Sequence, residues 1–462
     1  MSKRYISCIF ILMSLVVTIG IFSARGNTSD CTFPFFPALL KASSEKPLTP
    51  ADFKEPVSCR SCHMSTMKEW EGSSHAHAFK DSLFHALWKA GSRETGGAID
   101  AFCVSCHTPI GVLTRDIKGP DGSLAASKVT REGIHCDLCH TVADTTYRCT
   151  KAGSPHNASL LVRPGSIKTG PMDNVKSTFH ESTYSELHTR SEFCGNCHNL
   201  FHHASGLPLV TTYEEWKGSI YAQKGIVCQD CHMMSVDTAI LTADTLERQK
   251  SPGKASTIGP IRESIHVHTF VGGNPVMKEG NTPGRPGREA EKRLQSAARL
   301  DAEGTVSNGR GTLTIQVFNE RAGHNIPTGM PGLRQVWLEV TIRDHTGAVL
   351  HHSGGLDQEG TIDQGAIRFG PEPIDSKGRI TCKPWAIKGF RANTGIPPRG
   401  NITRSVEFAV PDGVTWPLAA QVVLRYRGFP QSLMSELLPK AGATIPVFDM
   451  ASREIAIDAS AT

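Results

Sequence analysis

Beyond Phe22 the chain has no apolar run long enough to cross a bilayer. Aromatic residues are scarce at 7%, and hydrophobic residues reach only 39%. Gly and Pro, by contrast, number 43 and 28. Such a composition argues for a loop-rich protein and against a helical bundle. Charge of one sign is missing too: 49 basic residues stand against 44 acidic ones. No basic stripe with interleaved aromatics occurs, so nucleic acid is not implied. Cysteine is nearly absent from the C-terminal half, where Cys382 stands alone. At 462 residues the chain is too long for one ordinary domain, and two or three are expected.

The one long apolar run is at the start. Lys3 and Arg4 precede Ile6 to Phe22, and Ala24-Arg25-Gly26 places small residues where a signal peptidase cuts. A cleaved secretory signal, 1–26, is the expectation; an uncleaved anchor is the alternative, and the only membrane contact implied. Cleavage takes away Lys3, Arg4 and Arg25 and brings the formal charge from +5 to about +2. The mature chain is expected to be periplasmic or extracellular.

What the chain does have is fourteen cysteines and twenty histidines. Ten of the cysteines fall in five Cys-x-x-Cys pairs: Cys59 and Cys62, Cys103 and Cys106, Cys136 and Cys139, Cys194 and Cys197, Cys228 and Cys231. Each pair is followed at once by a histidine: His63, His107, His140, His198 and His232. Chance would place all five on the order of once in several million such chains. A zinc ribbon is indifferent to the residue after its second cysteine, and five pairs do not divide into four-thiolate sites. A redox thiol pair would occur once, in a βαβ setting. Haem c needs every element: two thiols add across the porphyrin vinyl groups, and the short turn puts the next imidazole under the iron. Five covalently bound haems are therefore expected, at about 35 residues per porphyrin. Porphyrin faces would supply much of the apolar surface, at about 25 cal/mol per Å² buried.

Full six-coordination would take five more histidines of the fifteen outside the pentads. The distal candidates are His75 in "EGSSHAHAF", His156 after a Ser-Pro turn, His188 before the fourth pentad, His268 (or its neighbour His266) and His324 in "AGHNIPTG". His77, His180, His202 and His203 are also available. Met64, Met233 and Met234 follow proximal histidines and are read as packing residues. Of Cys31, Cys149 and Cys382, two can pair in an oxidising compartment, and the sequence does not say which.

Along the chain, residues 27–55 read as a leader over the folded body, 56–240 as the pentahaem domain and 241–304 as a linker with a polar helix, Arg288–Leu300. A short helical patch is expected at Ser82–Lys89. After 305, "GTLTIQVFNE", "RQVWLEVTIRD", "ITRSVEFAV" and "AAQVVLRYR" alternate apolar and polar residues, which predicts an antiparallel β-sandwich over 305–462. The fold class is α+β.

In their order, "CRSCHMSTMKEWEGSSHAHAF", "FCVSCH", "GIHCDLCH" and "LHTRSEFCGNCH" resemble the multihaem cytochrome c family of the tetrahaem electron acceptor of hydroxylamine oxidation and of cytochromes from metal-reducing bacteria. The resemblance covers about residues 55–235. It implies that His75, His156 and His188 are distal ligands or lie near them. "GIVCQDCHMM" is an addition to the tetrahaem pattern, while "HTFVGGN" and "AGHNIPTGMPGLRQVWLEV" are similar to the β half of longer members. Some relatives form extracellular filaments.

Two functions compete, with a filament subunit as a third. An electron carrier relays electrons between redox partner proteins, other cytochromes among them, and needs every iron closed. A reductase or oxidase of a small nitrogen or sulfur compound needs one open iron and acid–base groups such as Asp137, His135, Tyr184 or Glu186 nearby. The excess of histidines favours the carrier, and an oligomer or filament is compatible with it.

Overall fold

A computed structural model describes residues 31–117, 119–121, 126–273, 285–440, 442 and 444–459. The expected signal segment lies outside them. The chain divides into two compact units, Met1–Thr32 and Phe33–Thr462.

The cysteine-rich half of the second unit is built from short helices. Each pentad closes as a helical turn: His63, His140 and His198 each donate a backbone N–H to the carbonyl of the first cysteine of their pentad at 2.9 Å. The second and fifth pentads lie in the helices Asp100–His107 and Cys228–His232. In a helix, positions i, i+3 and i+4 share one face, so both thiols and the imidazole of a pentad project together.

The helical patch at Ser82 runs on to Thr95. Asp81 caps it by accepting from Leu83 N, and Gly96 ends it in the left-handed region at φ 61°. The leader is woven into the fold. Ala38, Leu39 and Leu40 are buried. Thr146 Oγ1 donates to Leu39 O at 2.6 Å. Lys41–Ala42 forms a short strand parallel to Leu160–Val162. Cys31 and Cys149 are both disulfide-bonded, and Cys382 is a free thiol.

The linker helix is Arg285–Ala297, and a strand starts at Ala298 where the helix was expected to continue. From there burial alternates, with Ala298 and Leu300 turned inward. The four predicted strands are present as Arg310–Asn319, Gln335–Arg343, Asn401–Ala409 and Leu418–Arg427. Ala298–Ser307 and Val447–Ile457 join them, beyond those predicted. One antiparallel sheet orders Ala298–Ser307, Arg310–Asn319 and Asn401–Ala409. A second orders Val349–Ser353, Gln335–Arg343, Leu418–Arg427 and Val447–Ile457, with Arg368–Phe369 also on Gln335–Arg343.

Both sheets contribute to one apolar core. Leu313, Ile315, Val317, Val406 and Phe408 come from the first, and Leu338, Val340, Ile342, Leu418, Val422 and Leu424 from the second. Gly311 pairs with Phe408 across the strands, and a Cβ there would strike the Phe408 ring. A smaller core under the pentads gathers Leu40, Phe53, Phe79, Trp88, Ile110, Leu138 and Val162.

The two halves are tied by specific polar contacts. Trp385 Nε1 donates to Glu94 Oε2 at 2.8 Å, and Lys383 reaches Glu94 Oε1 at 2.8 Å. Glu215 accepts from Asn325 N at 3.1 Å and Thr328 Oγ1 at 2.7 Å. These bonds bring the loop carrying His324 onto the pentad side.

Candidate functional site

All ten pentad cysteines and all five pentad histidines line one cavity of about 1850 Å³. Four of the histidines are oriented by backbone carbonyls supplied from elsewhere in the chain. Nδ1–H of His63 donates to Ala255 O, of His107 to Ala78 O and of His140 to Thr169 O, each at 2.7 Å, and of His232 to Val271 O at 2.8 Å. A carbonyl can only accept, so each bond fixes the proton on Nδ1 and leaves the Nε2 lone pair for a metal. Burial lowers the pKa of His107, His140 and His198, and takes His232 down to about 3, with Arg293 and His324 adding to it. These rings are neutral at neutral pH, as ligation requires.

Four pentad imidazoles face a second imidazole. Ring centroids are 6.4 Å apart for His63 and His180, 6.2 Å for His198 and His75, 6.4 Å for His140 and His268, and 6.2 Å for His232 and His324. Two metal–nitrogen bonds of about 2 Å plus two half-rings come to about 6 Å, so one metal ion fits between each pair.

Of the five distal candidates, His75, His268 and His324 occupy such positions. His188 also lies 6.0 Å from His140, at 16°. Its Nε2 donates to Cys139 O at 2.9 Å, which leaves the buried Nδ1 as its free nitrogen. His156 is outside the cavity lining: its Nδ1 bonds to Ser154 O at 2.8 Å and its ring packs edge-on against Phe201. His202 is spent on Trp385 O, at 3.1 Å. His180, which sequence reasoning left unranked, precedes the strand Glu181–Tyr184, which pairs in parallel with Ile167–Gly170. No local signal marks that pairing.

The donor set fits a porphyrin. Trp88 Nε1, His188 Nδ1, Gln229 Oε1 and Arg293 Nε line the cavity, buried and without hydrogen-bond partners. Orphaned buried polar atoms are rare unless a group is missing beside them. Phe179 and Ile258, 72% and 73% exposed, also line it, as apolar cover for a large flat ligand. Among the described residues no three His, Cys, Asp or Glu converge as a bare ion would need.

Residues 58–141 match the family described as cytochrome c554 and c-prime. The fold is similar to the crystal structure of a penta-heme cytochrome c552 from Thermochromatium tepidum, with a TM-score of 0.59 at 17% identity, covering 88% of this chain and 100% of that one. No curated protein matches. Together these findings support a multihaem cytochrome c.

Thiols of different pentads lie side by side. The Cys136 thiol beside Cys59 holds Cys59 down to about 7. Cys197 likewise lowers Cys106, and Cys194 lowers Cys228. Burial pushes Cys103, Cys139 and Cys231 up to about 12. Cys139 also lies close enough to Cys194 and Cys197 to raise both. The first pentad therefore adjoins the third, and the fourth adjoins the second, third and fifth. Among the described residues no helix is long and apolar enough to cross a membrane.

Proposed function

We propose that the chain is an exported pentahaem c-type cytochrome that relays electrons between redox partner proteins, other cytochromes among them. The observation that carries this reading is the set of four facing imidazole pairs at 6.2–6.4 Å. An iron held on both faces has no position for substrate and can only change its charge. Bound haem supplies a one-electron change at iron. The chain's own residues do the rest. The thiols anchor the porphyrins, the carbonyls aim the proximal imidazoles, and the touching pentads keep neighbouring sites within tunnelling reach.

Export is supported by the apolar run Ile6 to Phe22 and by disulfide-bonded Cys31 and Cys149, which suit an oxidising compartment. We read the two sheets that share a core as an antiparallel β-sandwich that closes the fifth site and covers the array. Intact-mass measurement tests the reading directly. The mature protein should exceed its polypeptide by five haems, with most of the iron low-spin by electron paramagnetic resonance. A colourless protein, or mostly high-spin iron, would refute it.

One observation favours a second reading. Among the described residues no imidazole faces His107 at the spacing of the other pairs, and Phe84 stacks on its ring at 3.8 Å. An open iron at this pentad would suit a reductase or oxidase of a small nitrogen or sulfur compound. Cyanide or nitric oxide binding by the native protein would favour that reading, and full inertness would exclude it.

A further inference from the structure

The four facing imidazole pairs are not held alike. In three of them both rings are bonded through Nδ1 to a backbone carbonyl. At the first pentad, His63 donates to Ala255 O at 2.7 Å, and His180 across from it donates to Glu181 O at 3.1 Å. At the third, His140 donates to Thr169 O at 2.7 Å and His268 to His266 O at 3.1 Å. At the fifth, His232 donates to Val271 O at 2.8 Å and His324 to Asn325 O at 3.0 Å.

The pair at the fourth pentad, His198 and His75, differs. Its ring centroids stand 6.2 Å apart, as in the others. Burial and a neighbouring imidazole lower the pKa of both rings, and among the described residues no carbonyl accepts from either. The surroundings account for this. His75 sits in the helix Ser74–His77, and the Phe270 ring packs on its ring at 4.5 Å with no lone pair to offer. His198 closes its own pentad through its backbone N–H, which donates to Cys194 O at 2.9 Å, but no distant segment brings a carbonyl to its ring.

The consequence lies in the proton on Nδ1. An imidazole that ligates a metal through Nε2 carries its proton on Nδ1. A carbonyl that accepts this proton makes the ring a stronger electron donor, which favours the more highly charged metal. Hydrogen bonds of this kind are one of the levers that set the potential of a haem iron. Three of the paired sites have two such acceptors and the fourth has none.

We propose that the site of His198 and His75 is the easiest of the four paired sites to reduce, so that an electron entering the array comes to rest there. A redox partner gives up one electron and is oxidised, and the ferric iron between these two rings becomes ferrous; no bond breaks. The carbonyls at the other three pairs are positioning groups that hold those sites at lower potential. The ordering rests on the pentahaem reading.

The test is stepwise reduction of the full holoprotein, with the low-spin ferric signals followed by electron paramagnetic resonance. His75→Ala opens the fourth iron on one side and identifies its signal as the one lost. His75→Met keeps that iron six-coordinate and identifies the same signal by its shift. In the native protein this signal should be the first of the paired sites to bleach. A second readout is the iron–histidine stretch of the reduced five-coordinate site in resonance Raman spectra. It should lie at lower frequency in His75→Ala than in His268→Ala or His324→Ala, whose remaining imidazoles, His140 and His232, keep their carbonyls. A signal that bleaches with or after those of the other pairs, or equal stretching frequencies in the three variants, would overturn the ordering. Five haems by mass with no low-spin signal lost or shifted in either His75 variant would overturn the pairing of His75 with His198. Fewer than five haems in the native protein would instead overturn the reading beneath both.

Discussion

His324 stands across from His232 with ring centroids 6.2 Å apart and planes 15° from parallel, although one belongs to a loop of the β half and the other to the fifth pentad. Its Nδ1 is held by Asn325 O at 3.0 Å, and Glu215 pins that same loop. The β half thereby sets an imidazole opposite that of the fifth pentad.

His324→Ala is expected to turn one low-spin haem high-spin while five haems remain attached. The thioethers come from Cys228 and Cys231, which the substitution does not touch. Paramagnetic resonance at g values typical of high-spin ferric iron, with intact mass as the control, checks both halves of the expectation. An unchanged low-spin spectrum would remove His324 from the fifth site.

Two histidines lie near His140, and they are expected to behave differently. His188 bonds through Nε2 to the carbonyl of Cys139, a residue of the same pentad, which places it on the proximal side. His268 is held through Nδ1 by His266 O at 3.1 Å, while its backbone N–H donates to Glu69. His268→Ala should therefore produce a high-spin haem and His188→Ala should not. The opposite result would exchange their roles.

How far the site could be read from the sequence follows from how local its parts are. The pentads are contiguous because two thioethers and one axial bond to a single porphyrin demand it, so they are visible as text. His75 lies in a short capped helix, Ser74–His77, just past the first pentad, and local pattern brings it forward. His180 depends on a parallel strand pairing with Ile167–Gly170, and the Nδ1 acceptors Ala255, Thr169 and Val271 arrive from distant segments. Nothing in a window of neighbours encodes those meetings. In the β half, the strands with strict period two were legible. Val447–Ile457 was hidden by a register shift against Leu424 and Arg425 and by the run Ser452, Arg453 and Glu454, exposed on both faces. Ala298–Ser307 was hidden because helix passes directly into strand at Ala298.

Trp385 is the largest side chain of the tie between the halves. It is 8% exposed, packs in one cluster with Ala90 and Ile99, and presses on Gly91, where a Cβ would meet its ring. Trp385→Ala should cost about 3–5 kcal/mol, since it empties a packed site and leaves Glu94 without its indole donor. Denaturant midpoints of the holoprotein measure the loss. A change under about 1 kcal/mol would show that the halves do not depend on this contact.

His135 supplies a pH dependence whose sign can be worked out. It is 1% exposed, with Nε2 bonded to Val129 O at 3.1 Å and Nδ1 accepting from Asp137 N at 3.3 Å. Burial, only partly opposed by Asp137, takes its pKa down to about 4. An unfolded histidine titrates near 6.5. Above that pH the ring is neutral in both states and contributes nothing. As pH falls from about 6.5 to about 4 the unfolded chain takes up a proton that the folded one refuses, so stability drops by up to about 1.4 kcal/mol per pH unit and at most about 3 kcal/mol in all. His135→Gln has no proton to take up, so the native chain should lose more stability than the variant between pH 7 and pH 4. Denaturation of both holoproteins at pH 7, 5.5 and 4 reads the difference, and parallel losses would show that His135 is protonated in the fold.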